Sequence, residues 1–181
     1  LRNTQGRDTA ARVIRELSDQ LKLFTQSMAT CRCRDIGRLA EELQKRLLLC
    51  ENNDLIIPLK PLLEKLNSRI LSFKGDDVTN GLEAAKWCLE HNLIQQGFTI
   101  LEETLITHSI KSIGEDPYLR NVRERFGETV NIFNRKRRED RERRNKTDLD
   151  DIQNRLLRLF ESNPDIPKRF DSIASKTNDL N

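Results

Sequence analysis

Residues 8–29 hold Ala10, Val13, Ile14, Leu17, Leu21, Phe24 and Met28 in a stripe that repeats every three or four positions. That spacing places every one of them on one face of an α-helix, sustained for five turns. A strand would need strict alternation, which this segment lacks. The same period returns along the rest of the chain. Glycine is rare, with seven residues, and aromatics make up only 5%, while Leu, Glu, Lys, Arg and Gln abound. Strand-rich chains want β-branched and aromatic runs between turns, whereas these residues are good helix formers. The sequence therefore predicts an all-α bundle of six to eight helices.

The 181 residues suit one domain, or a long bundle with an appended part. We read 1–181 as a single helical domain: long helices over 1–77, a helix pair over 78–116, and a basic helix with a C-terminal segment over 117–181. The chain begins with Leu rather than Met and enters a helix almost at once, so it is read as a fragment. No signal peptide is seen. No apolar run approaches ~18 residues, so no membrane span is expected. Cys31, Cys33, Cys50 and Cys88 have neither a disulfide framework nor paired zinc spacing. They predict reduced thiols, no metal, no cofactor and a cytoplasmic setting.

Element by element, Asp8 or Thr9 is expected to cap the first helix. The second covers about 35–50 behind Asp35, with Ile36, Leu39, Leu43 and Leu47 inward. Pro58 and Pro61 mark the first turn of a third helix. Its expected inner face is Leu62, Leu63, Leu66, Ile70 and Phe73. Lys74-Gly-Asp-Asp77 ends that helix and caps the next. Helices over 78–90 and 93–110 follow, with Trp87, Leu89, Phe98, Leu101 and Leu105 as core. We expect Trp87, Phe98, Leu101 and Leu105 to share that core with Leu17, Leu21 or Phe24. Gly114-Glu-Asp-Pro117 breaks the pattern. A sixth helix starts near Tyr118 and carries Val122, Phe126, Val130 and Phe133. Residues 149–161 resume the period. Asn163-Pro164 and Pro167 form a kinked connector, and a last helix begins at Phe170.

Between the sixth helix and residue 149 lies a charged run. It holds Arg135, Lys136, Arg137, Arg138, Arg141, Arg143 and Arg144, interrupted by Glu139, Asp140 and Glu142. The acids weaken attraction for phosphate and favour pairs along the helix. No aromatic is interleaved to stack on bases. A solvated, exposed face is the favoured reading. RNA contact by Arg135, Arg137, Arg138, Arg141 and Arg144 is the alternative. Arg144-Asn145 has no histidine in range.

Two further stretches carry a family resemblance. Residues 84–108 read AAKWCLEHNLIQQGFTILEETLITH: Trp-Cys, a short turn at His91-Asn92, Gln-Gln-Gly, then Glu102-Glu103. Residues 170–181 read FDSIASKTNDLN. Together they resemble the helical C-terminal part of the CRISPR-associated CARF–HEPN proteins, the accessory ribonucleases of type III systems. The resemblance implies a HEPN-like bundle, a homodimer and cleavage of single-stranded RNA. It also implies activation by cyclic oligoadenylate through an N-terminal CARF domain, a Rossmann-like unit not contained in these residues. HEPN ribonucleases use an arginine, often followed by asparagine, with a histidine four to six residues later. Thr177, Asn178 and Asn181 match the central part of that motif. Thr177 stands where arginine is expected, with Lys176 beside it, and the histidine would follow Asn181. The other reading is a non-catalytic helical domain that joins subunits and relays the ligand signal.

Overall fold

The computed structural model describes the backbone of residues 2–31, 33–51, 54–73, 75–138 and 149–179, and the side chains of 9–31, 34–50, 57–73, 75–135 and 149–176. Among the described residues the chain is all-α, with eight α-helices, two 3-10 turns and no strand. The α-helices are α1 (Arg2–Ala29), α2 (Ile36–Glu51), α3 (Lys60–Ile70), α4 (Asp77–Glu90), α5 (Ile94–Ser112), α6 (Arg120–Arg138), α7 (Asp151–Ser162) and α8 (Asp165–Asp179). They group into two compact units, Leu1–Ile100 and Leu101–Asn181.

In the first unit α1 buries Ala10, Leu17, Phe24 and Met28. Their spacing keeps all four on one helical face, which packs chiefly on α2. The helix starts at Arg2, so Asp8 and Thr9 lie inside it rather than at its start. At its other end Cys31 takes a left-handed conformation, φ 55°, which turns the chain towards α2. α2 buries Ile36, Leu39, Leu43, Leu47 and Cys50. Its Gln44 donates from Nε2 to the carbonyl of Ile70 at 3.2 Å, which also accepts from the N–H of Phe73 at 3.0 Å.

Pro58 belongs to a 3-10 turn over Asp54–Leu59, while Pro61 occupies the first turn of α3. The two prolines thus split between a lead-in and the helix itself. α3 buries Leu63 and Ile70. Leu62, expected inward, is 63% exposed, because one residue of helix turns a side chain by ~100° away from that stripe. Leu89 on α4 is 65% exposed for the same reason: α4 buries Gly81, Ala84, Ala85 and Cys88.

Asp76 caps α4, accepting from the N–H of Thr79 at 2.9 Å. Asn80 is buried and closes the preceding turn. Its Oδ1 accepts from the N–H of Gly75 at 3.1 Å, and its Nδ2 donates to the Gly75 carbonyl at 2.8 Å. Gly37 faces this amide so closely that a Cβ would stand 2.7 Å from Asn80 Nδ2. The centre of the unit is aromatic. Phe24 meets Phe73 and Trp87 edge to face, with ring centroids 5.2 and 5.6 Å apart.

The second unit is built on Ile106, Ile110, Val122, Phe126, Val130, Leu156 and Phe160. Leu101 and Leu105 fall within this unit's residues, half-buried. Of the four residues expected in the core of Phe24, Trp87 meets it. Phe98 is half-buried. α7 starts with a reciprocal cap: Asp150 Oδ1 accepts from the N–H of Gln153 at 2.8 Å, and Gln153 Oε1 accepts from the N–H of Asp150 at 3.2 Å. Arg125 ties that cap to α6 through Asp150 at 2.7 Å. α8 begins at Asp165, five residues before the expected start. Pro167 sits in its first turn, where a proline costs no hydrogen bond, so the kinked connector shrinks to Asn163-Pro164.

Candidate functional site

The residues that carry the family resemblance build the joint between α4 and α5. Asn92 adopts φ 57°, a left-handed conformation that asparagine tolerates better than most residues. The N–H of Leu93 returns to the carbonyl of Cys88 at 2.8 Å and closes the turn. His91 lies on Trp87, rings stacked 4.6 Å apart and 12° from parallel. Its Nδ1 is 2.8 Å from the Trp87 carbonyl. A carbonyl only accepts, so Nδ1 carries the proton in this contact. Arg69 lies 5.8 Å from the centre of the Trp87 ring and pairs with Glu90.

Gln95-Gln96-Gly97 form the first turns of α5. A Cβ on Gly97 would stand 3.4 Å from Cys88 Cβ and 3.6 Å from the Ala85 carbonyl, so glycine brings the two helices to contact distance. The Cys31 thiol is 3.8 Å from the carbonyl of Gln96. Burial, and secondarily Cys31, pushes the Cys88 thiol up to about 11. Cys88 is thus protonated at neutral pH and attacks only as a base takes its proton.

Glu102 and Glu103 differ in setting. Glu103 pairs with Arg123, which also donates to the Pro117 carbonyl at 3.2 Å. Partial burial, and then the neighbouring Glu103, raise the Glu102 carboxyl above its usual range. The folded state therefore disfavours ionised Glu102. That cost is absent below the ordinary carboxylate value and complete above the raised one. Glu102→Gln is accordingly expected to keep or raise the melting midpoint at neutral pH and to lose the advantage in mild acid. Melting curves of both proteins at the two pH values check the sign; a lower midpoint for the variant at neutral pH would contradict it.

The second candidate region lies where α6 and α8 meet. Phe126 and Phe170 contact edge to face, centroids 5.3 Å apart. Asn134 Nδ2 donates to Asp171 Oδ2 at 2.7 Å. Arg135 follows at once and is exposed. The entry to the basic run is thereby fixed beside α8, one and a half turns before Lys176. Arg137 and Arg138 fall in the last turn of α6, and Thr177 and Asn178 in the last turn of α8; their side chains lie outside the described ones. Arg141, Arg144 and Asn181 lie outside the described residues altogether, as does most of the run expected to be exposed.

Neither Asn134–Asp171 nor the stacking of His91 on Trp87 was anticipated. The second had a signal, since residues four apart share a helical face. The first had none, with 37 residues between the partners. Both histidines, His91 and His108, are exposed. No group of three or more His, Cys, Asp or Glu side chains converges among the described residues. No helix among them is long and apolar enough to cross a membrane. No protein-family model, characterised protein or solved structure matches the chain.

Proposed function

We propose that the chain is the helical, HEPN-like effector part of a CRISPR type III accessory protein. In this reading it cleaves single-stranded RNA without a metal, as a homodimer, when cyclic oligoadenylate binds a separate N-terminal CARF domain. One observation carries the reading. The ordered set Trp87-Cys88, His91-Asn92 and Gln95-Gln96-Gly97 forms a close-packed helix joint, Glu102-Glu103 follow on α5, and residues 176–181 read Lys-Thr-Asn-Asp-Leu-Asn.

The chemistry follows from what metal-free RNA cleavage needs. The 2′-hydroxyl attacks the adjacent phosphorus, the 5′-oxygen leaves, and a proton passes from the first to the second. Histidine suits the proton transfer because its pKa lies near neutrality. In the proposal that histidine follows Asn181. A cation must stabilise the phosphorane. Thr177 cannot supply it, and Lys176 offers a point charge without the planar fork of arginine. The exposed Arg135, beside α8, heads a run able to hold the RNA backbone. The substitution at Thr177 is the specific ground for a second reading, a dimerising relay without nuclease activity.

The test is cleavage of a labelled single-stranded RNA in EDTA by the full-length natural protein, with and without cyclic oligoadenylates. Activator-dependent cleavage that survives EDTA is expected. The 181 residues alone should be inactive. Full-length protein that binds activator and leaves RNA intact would favour the relay. Turnover by the 181 residues that survives His91→Ala and His108→Ala would place the chemistry elsewhere.

A further inference from the structure

We infer that Cys31 and Cys88 form a redox-sensitive thiol pair, which a hydroperoxide closes to a disulfide tying the end of α1 to α4. The inference does not depend on the ribonuclease reading. Both cysteines border the same turn of α5. The Cys31 Sγ is 3.8 Å from the carbonyl of Gln96. The Cβ of Cys88 is 3.4 Å from the place a Cβ would take on Gly97, the very next residue. Cys31 stands just past the end of α1 on a left-handed backbone, φ 55°, and is half-buried there. The two thiols also act on each other, since Cys31 is the second cause, after burial, of the raised Cys88 value. Cys50 is buried on α2.

Exposure assigns the order of events. Cys31 is half-buried and Cys88 is fully buried, so the oxidant reaches Cys31 first. The Cys31 thiolate attacks one oxygen of hydrogen peroxide. The O–O bond breaks, and the other oxygen leaves as water after taking a proton. Cys31 becomes a sulfenic acid. The Cys88 sulfur then attacks the Cys31 sulfur, the S–S bond forms and the S–O bond breaks. The departing hydroxide takes the Cys88 proton and leaves as a second water. Two thiols are oxidised, and one peroxide is reduced to two waters.

The experiment is peptide mapping by mass spectrometry after exposing the native protein to hydrogen peroxide and alkylating the remaining thiols. A bridged peptide pair joining Cys31 to Cys88 is expected, lost on reduction with dithiothreitol and formed equally in Cys50→Ser. In Cys31→Ser, Cys88 should be recovered alkylated once the protein is unfolded. Three results would each overturn the inference: a bridge from Cys31 to Cys33, Cys31 carried to the sulfinic acid with Cys88 still a thiol, or no change at either. The wild-type map decides the matter even where a serine variant folds poorly.

Discussion

Phe24→Ala is expected to lower the stability of the protein by roughly 3–5 kcal/mol and to move the fluorescence of Trp87 to longer wavelength. Phe24 has no exposed surface. Its ring meets Phe73 at 5.2 Å and Trp87 at 5.6 Å, both edge to face. The change removes the transfer energy of the ring and opens a void where α1, α4 and the Phe73 turn meet. Each lost aromatic pair adds roughly 0.5–1.5 kcal/mol, part of which the range above already contains. Trp87 is the single tryptophan, so its emission reports this place alone. Water entering beside the indole would shift emission red in the native baseline before any unfolding. Denaturant titration followed by that fluorescence checks both parts. An unchanged midpoint and an unchanged native spectrum would mean that Phe24 does not hold the aromatic centre.

The second large effect is expected in the other unit. Phe126→Ala should also cost roughly 3–5 kcal/mol, and the loss should be felt most in α8. Phe126 is buried, and it joins α6 to two other helices, with centroids 5.7 Å from Phe160 on α7 and 5.3 Å from Phe170 on α8. α7 keeps further anchors when the ring is gone: Leu156 and Leu157 are buried, and Arg125 still holds Asp150. α8 keeps fewer. Its contacts named here are Phe170, Ile166 and the exposed bond from Asn134 to Asp171. Hydrogen exchange should therefore speed up in 165–176 more than in 151–162. Equal acceleration in both helices, or none, would show that Phe126 does not anchor α8. If α8 carries the cleavage motif, activator-dependent RNA cleavage should fall along with that protection.

The elements were legible in the sequence because the information that makes a helix is local. Seven apolar residues at helical spacing announce α1, and Asp76 and Pro61 mark starts that obey capping and ring geometry. Errors fell at boundaries. α1 begins at Arg2, ahead of the expected cap, although Asn3, Thr4 and Gly6 are poor helix formers and nothing in their pattern marks the start. α8 begins at Asp165 because Pro167 reads as a breaker by composition yet is harmless in a first turn. Leu62 was misplaced because the neighbouring leucines Leu62 and Leu63 leave open which one faces inward, and Leu89 because Trp87-Cys88-Leu89 leaves the same choice among three apolar residues. The partner helix selects Leu63 on α3 and Cys88 on α4.

By itself the sequence determined that the described residues are helical, roughly which segments form the helices, and that charge gathers between the periodic stretches of α6 and α7. Each of those properties is settled within a few residues by periodicity, capping and desolvation cost. Only the tertiary structure decided that the chain divides inside α5, after Ile100, where the helical pattern runs on without a break. It likewise decided that Cys31 reaches Gln96, 65 residues away, and that Asn134 meets Asp171. Such contacts depend on how separate apolar faces cover one another. No short stretch of sequence encodes that choice, since the same face could bury equally well against several partners.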